Sequence, residues 1–370
     1  MFPERSANIR PGRTAEAPLP SFWTMMAAAT GLVLTMMGPA TVQAQPSRRQ
    51  DIYIDKAVFA DDQLWLLSGG ELSRIAENGD SRIVENLPDR VLDLCAQHNQ
   101  PVVITGPQRQ TGPWTIRRRV EGQWRVEATV TLPENTEDRV ETLDCRADRL
   151  LLLTTHRLIE AGRGIQNSLH LNGSLLTDRG WPGHIVATHD APGQLLVAFN
   201  AGEWSGRVQS IDLNTGAVAS IKEEGSAFGH FMGNPNALLP LPWEPRGRKG
   251  CLAMSVGLVH FAASGMIMTV CDGVARPLYK TLLVTPPGPL HNGDETVPFY
   301  GLMADGDALI ASGLDGMYRI TADGKAVKSP LPKLQNIDGA WVSFDLPHVV
   351  LVGTVQRLSV GPLVPMMVPR

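Results

Sequence analysis

From residue 51 onward the chain alternates between short apolar runs and turn residues. LWLL, VVIT, LLLL, LLVAF and ALIAS recur, each bounded by Gly, Asn, Asp or Pro. This is the signature of short strands, and no long stretch carries the 3.6-residue spacing of an amphipathic helix. The stretch GLMADGDALIASGLDGMYRITADGKAVK, residues 301–328, shows the order most clearly. A strand, an Asp-Gly-Asp turn, the strand ALIAS, a Gly-containing turn, the strand MYRITA, an Asp-Gly turn and a last strand follow one another.

The same order repeats along the chain. Asp61-Asp62, Gly69-Gly70 and Asn78-Gly79 punctuate AVFADDQLWLLSGGELSRIAENGDSRIV in matching positions. Last-turn glycines fall at 79, 122, 162, 216, 265 or 273, 324 and 361. These intervals of roughly 40 to 60 residues are those of propeller blades rather than helical solenoids. The pattern predicts an all-β fold, a seven-bladed β-propeller of four-stranded antiparallel blades. The fifth unit, where Ser264-Gly265 and Asp272-Gly273 compete as last turn, and the 171–183 connection leave six or eight blades open. An open β-solenoid would have shorter repeats, and paired β-sandwiches would not keep one turn order throughout.

LWLLSGGELSRI and ALIASGLDGMYRI resemble the repeats of exported bacterial propellers of the regulator-propeller type. IDLNTGAVASI is similar to the strand, Thr-Gly turn and strand of quinoprotein-like repeats. The resemblance spans about residues 51–368 and implies an architecture; it carries no catalytic residue with it. Aspartate boxes and regular Gly-His and Trp-Asp pairs are absent from the sequence.

The first 44 residues have a different character. Arg5, Arg10 and Arg13 precede an apolar run, Phe22–Met37, and Val42-Gln43-Ala44 ends in small residues of the kind signal peptidase accepts. The expected organisation is a signal peptide, 1–44, then a single β-propeller domain, 45–370, exported to the periplasm or beyond. An uncleaved anchor is the rival, but the run is short and contains Gly and Thr. No integral membrane segment is therefore expected in the mature chain.

Charge narrows the partners. With 33 Lys and Arg against 37 Asp and Glu, the formal net charge is −4, and no long run of one sign argues for nucleic acid. Arg117, Arg118 and Arg119 form the densest basic cluster and read as a solvated strand edge. Four cysteines in an exported chain suggest disulfides. Cys95 in RVLDLC and Cys145 in RVETLDC occupy matching positions of neighbouring units and are expected to pair. Cys251 and Cys271 are harder to pair: two turns separate them, which places them near opposite ends of strands, and two free, buried thiols are the alternative.

Candidate chemistry gathers in three Gly- or Pro-rich connections, DRGWPGHIV, GSAFGHFMGNPN and PPGPLHNGDETVPFY, each with one histidine. They lead into blades four, five and six and should open on one face of the ring. Trp181, His184, Phe228, His230, Phe231, Asn234, His291, Asp294 and Glu295 are the candidate ligand- or partner-binding residues. Trp243, Phe299 and Tyr300 extend the aromatic group, with packing between blades as the alternative use. His184, His230 and His291 are the candidate metal ligands for a divalent ion, with Asp294, Glu295 and Asn234 as oxygen donors or a general base. His184 and His189, five apart on one strand, should face opposite ways. A nucleophile elbow, a phosphate loop and Cys-x-x-Cys are absent from the sequence. The reading that follows is a non-enzymatic exported propeller that binds a protein or ligand. The alternative is a metal-dependent propeller lyase or hydrolase acting on a carbohydrate or lactone, and a quinoprotein-like dehydrogenase ranks below both.

Overall fold

The computed structural model describes residues 55–75, 82–107, 113–132, 138–162, 165–176, 184–202, 206–259, 262–284, 294–330, 340–343, 349–354 and 366–369. The expected signal peptide lies outside these residues, and side chains beyond residue 330 are not described.

Hairpins build the chain locally. β1 (Lys56–Ala60), β2 (Gln63–Ser68), β3 (Glu71–Ile75) and β4 (Arg82–Val84) form one antiparallel sheet in chain order. Asp61 and Asp62, both at φ 53°, make the tight turn between β1 and β2, as short polar side chains permit. The second sheet is β5 (Val91–Gln97), β6 (Gln100–Thr105), β7 (Trp114–Val120) and β8 (Gln123–Val130). The third is β9 (Val140–Cys145), β10 (Leu150–Thr154), β11 (Arg157–Gly162) and β12 (Ile165–His170). The fourth is β13 (His184–Ala191), β14 (Gln194–Asn200), β15 (Arg207–Asp212) and β16 (Val218–Ser220).

Leaving that sheet, the short β17 (Lys222–Glu223) runs parallel to the outer strand of the next one and covers its edge. The fifth sheet itself is β18 (Pro235–Pro240), β19 (Leu252–Val259), β20 (Ala263–Cys271) and β21 (Val274–Tyr279). β22 (Phe299–Asp305), β23 (Ala308–Gly313), β24 (Gly316–Thr321) and β25 (Ala326–Ser329) make the sixth. The last described sheet has β26 (Ala340–Ser343), β27 (Val349–Thr354) and β28 (Met366–Pro369).

First strands of successive sheets lie side by side, from β1 to β5, β9, β13, β18, β22 and β26, and β26 returns to β1. A closed ring of antiparallel sheets around their first strands is a β-propeller. The described strands form seven sheets.

Burial follows from this packing. Each hydrophobic cluster spans two neighbouring sheets, as where Ile104, Trp114 and Ile116 of the second meet Leu143, Leu150 and Leu152 of the third. Second strands are covered on both sides, so β10 reads Leu-Leu-Leu-Leu-Thr and is buried throughout instead of alternating. Fourth strands lie outermost, and β25 exposes three of its four residues.

Three expectations change here, and one open choice is decided. Cys251 and Cys271 form a disulfide with Cα atoms 4.6 Å apart, because one hairpin separates them rather than two. Ser264-Gly265 lies inside β20, and Asp272-Gly273 is the last turn of the fifth sheet. The arginine cluster is not a solvated edge: β7 is flanked by strands on both sides, Arg118 pairs with Glu127 at 2.7 Å, and Arg119 pairs with Asp61 at 2.8 Å. A bulge between Ile185 and Ala187 puts positions 184 and 189 in the same phase of the pleat. Their separation along the strand, about 15 Å, still prevents a shared ligand. Cys95 and Cys145 join the first strands of the second and third sheets, with Cα atoms 5.7 Å apart.

Candidate functional site

The connections that carry the candidate residues deliver the chain to the starting ends of β13, β18 and β22. At that end of the ring, second strands finish and turn towards third strands. Asn200, the last residue of β14, donates from Nδ2 to Oδ1 of Asn236 at 2.8 Å. Asn236 in turn donates from its own Nδ2 to the carbonyls of Phe299, 2.8 Å, and Gly257, 3.0 Å. A chain of side-chain amides therefore ties sheets four, five and six together where their connections meet. Neither asparagine was singled out from the sequence; their one visible signal is that each borders a Gly-rich connection.

Close approach of backbones reinforces this tie. A Cβ on Gly257 would lie 2.5 Å from the Phe299 amide nitrogen, so the fifth and sixth sheets touch main chain to main chain. Only glycine allows that approach.

Within the connection leading to β18, exposed apolar groups flank buried polar ones. Phe228 is 70% exposed and Met232 37%. Between and beside them, Nε2 of His230 and Oδ1 of Asn234 are buried without a hydrogen-bond partner. Asn234 is 6% exposed, and its main-chain carbonyl accepts from the Gly257 amide at 2.9 Å. On the adjacent β22, the Tyr300 hydroxyl is also buried without a partner, and burial pushes its pKa well above the ordinary tyrosine value. Buried polar groups are normally satisfied, so this concentration at one end of two sheets is unusual.

Other candidates serve the fold. Phe231, 2% exposed, fills the cluster between the fourth and fifth sheets with Leu196, Val208 and Met254. Phe299 packs edge-on against Tyr318 at 5.2 Å in the cluster between the fifth and sixth. Trp243 stands in the loop joining β18 to β19, at the opposite end of the sheets, and packs into that same cluster. Buried Glu295 accepts from the Ala263 amide at 3.3 Å and so anchors its connection to the start of β20. Asp294 beside it is exposed.

Trp181 and His291 lie outside the described residues, and of His184 the backbone alone is described, opposite Asn200 at the start of β13. Among the described residues no three His, Cys, Asp or Glu side chains group as metal ligands. No helix among them is long and apolar enough to cross a membrane.

No protein-family model and no curated protein matches the chain. Among solved structures, YCF48 bound to D1 peptide is similar with a TM-score of 0.51 at 11% identity, over 88% of this chain and 93% of that one. The extracellular domain of the hybrid two-component system BT4673 from B. thetaiotaomicron gives 0.47 at 16%, over 83% of this chain and 37% of that one. Dihydro-heme d1 dehydrogenase NirN in complex with DHE gives 0.46 at 13%, over 82% and 61%. The likeness is one of fold. This chain spans under two fifths of the B. thetaiotaomicron domains it resembles.

Proposed function

We propose that the protein is an exported, non-enzymatic propeller that binds a protein partner or ligand on the blade-connection face of its fourth to sixth sheets. One observation carries this reading. Exposed Phe228 and Met232 flank the partnerless buried polar atoms of His230 and Asn234 within a single short connection. Apolar contact area beside unsatisfied hydrogen-bonding groups is what a binding surface offers. Two disulfides and the leader-like residues 1–44 support export, with 45–370 as the mature domain. The YCF48 structure holds a D1 peptide, which makes peptides the first ligand class to screen.

The test is quantitative affinity capture from the envelope fraction of the source cells by mature wild-type chain and by Phe228→Ala/His230→Ala. A partner enriched by the wild type and lost with the variant supports the reading. Absence of any partner, together with turnover of a carbohydrate or lactone, overturns it.

The metal-dependent alternative rests on His230, whose Nε2 is free to ligate. Under that reading His184 and His291 complete the set. Metal analysis of the purified chain separates the two: stoichiometric manganese, zinc or calcium that disappears in His230→Ala favours the enzyme.

A further inference from the structure

A cleft of about 230 Å³ runs between the third and fourth sheets, from Arg149 and Leu213 at one end to Leu158 and Leu169 at the other. Propeller blades diverge outward, so a wedge forms wherever no side chain fills the gap. Leu151 and Leu158 form its buried floor at 4% and 6% exposure, and Leu169 and Leu213 supply further apolar wall. Glu160 also lines it, on β11 directly opposite Leu151.

Glu160 is the unusual member. It is half-buried between leucines, and no described residue forms a hydrogen bond or ion pair with its carboxylate. The cation in the lining, Arg149, is committed elsewhere, to Oδ2 of Asp190 at 3.0 Å. A carboxylate held against apolar surface without a counter-charge attracts a cation that can also cover that surface. Lysine-like groups have this form, with a methylene stem that packs on apolar walls and a charged head that stays at a polar rim. The volume is below the roughly 300–1,000 Å³ of drug-sized sites and suits one such group.

We infer that this cleft is a binding site for an alkylammonium group, with Glu160 receiving the head and the four leucines the stem. Its lining shares no residue with the connections that carry the candidate partner-binding residues, so its failure would not bear on the function proposed above.

The test is binding measured by calorimetry and by NMR shifts of the lining residues, with n-pentylammonium, n-pentanol and Nα-acetyl-lysine N-methylamide as probes. The expected result is a Kd for n-pentylammonium on the order of 1 mM. Pentanol should bind at least about ten-fold more weakly, and Glu160→Gln should lose about ten-fold for the cation but not for pentanol. The lysine derivative separates the sources: if it matches n-pentylammonium, a lysine of a protein partner fits, and if it fails, a free amine does. Equal binding of pentanol and n-pentylammonium, an unchanged Glu160→Gln with intact melting, or no binding of n-pentylammonium at about 50 mM overturns the inference.

Discussion

Asp93 and Thr142 sit on the innermost strands of adjacent blades, and the threonine hydroxyl donates to the aspartate carboxylate at 2.9 Å inside their interface. Lys56, on the innermost strand of the preceding blade, donates to the same carboxylate at 2.9 Å, and the Leu143 amide does so at 2.6 Å. One carboxylate thus fastens three consecutive blades. Asp93→Ala strands a buried hydroxyl and a buried amide, and should destabilise the fold by about 3 kcal/mol. Asp93→Asn keeps an acceptor and loses the charge pairing, at about 1 to 2 kcal/mol. Urea unfolding of both variants measures the difference, and equal losses would show that the acceptor geometry does not matter.

The two disulfides close loops of different length. Cys95–Cys145 spans 50 residues and Cys251–Cys271 spans 20. Loop-closure entropy assigns them about 4 and 3 kcal/mol. Replacing each pair by serines should therefore cost more at Cys95/Cys145, by about 1 kcal/mol, in equilibrium unfolding. The reverse order would indicate that residual structure in the unfolded chain already restrains the longer loop.

Glycines serve two different purposes in this chain. Turn order was legible because Asp-Gly and Thr-Gly signals act within a few residues, and the template of residues 301–328 corresponds to β22–β25. Gly265 misled because it carries the same letter for another reason. A Cβ there would lie 2.5 Å from both Cα of Pro298 and the carbonyl oxygen of Val297, so this glycine permits contact between sheets rather than a turn. The turn between β19 and β20 carries no such signal, which is why the disulfide pairing across that hairpin was hidden. At the candidate site, the connections were legible from composition. The Asn200–Asn236 pairing was not, since residues 36 apart meet only through the ring.

This difference between glycines is measurable. Gly265→Ala forces backbone against backbone between the fifth and sixth sheets and should cost about 3 kcal/mol. Gly69→Ala, at φ +57° with nothing within 4 Å of the added carbon, carries conformational strain alone, about 1 kcal/mol. Chemical denaturation of the two variants gives the comparison, and equal losses would remove the close-approach account of Gly265.

His189 supplies the pH dependence. It lies on β13 beside the charged end of the third sheet, where burial first, and then Arg146, lower its pKa below the ordinary 6.5, against the smaller opposing pull of Asp190 and Asp144. The folded state therefore favours neutral imidazole, while the unfolded chain takes up a proton near the ordinary value. Stability from this residue is complete above that value and is lost as pH falls through the lowered, folded one. Melting temperature should decline from about pH 6.5 towards 5 in the wild type, and His189→Gln should flatten the decline. Because the imidazole is partly exposed, the effect should be modest and should persist in salt only where burial, rather than Arg146, causes it. Parallel melting curves for wild type and variant across that window would assign the acid sensitivity to other groups.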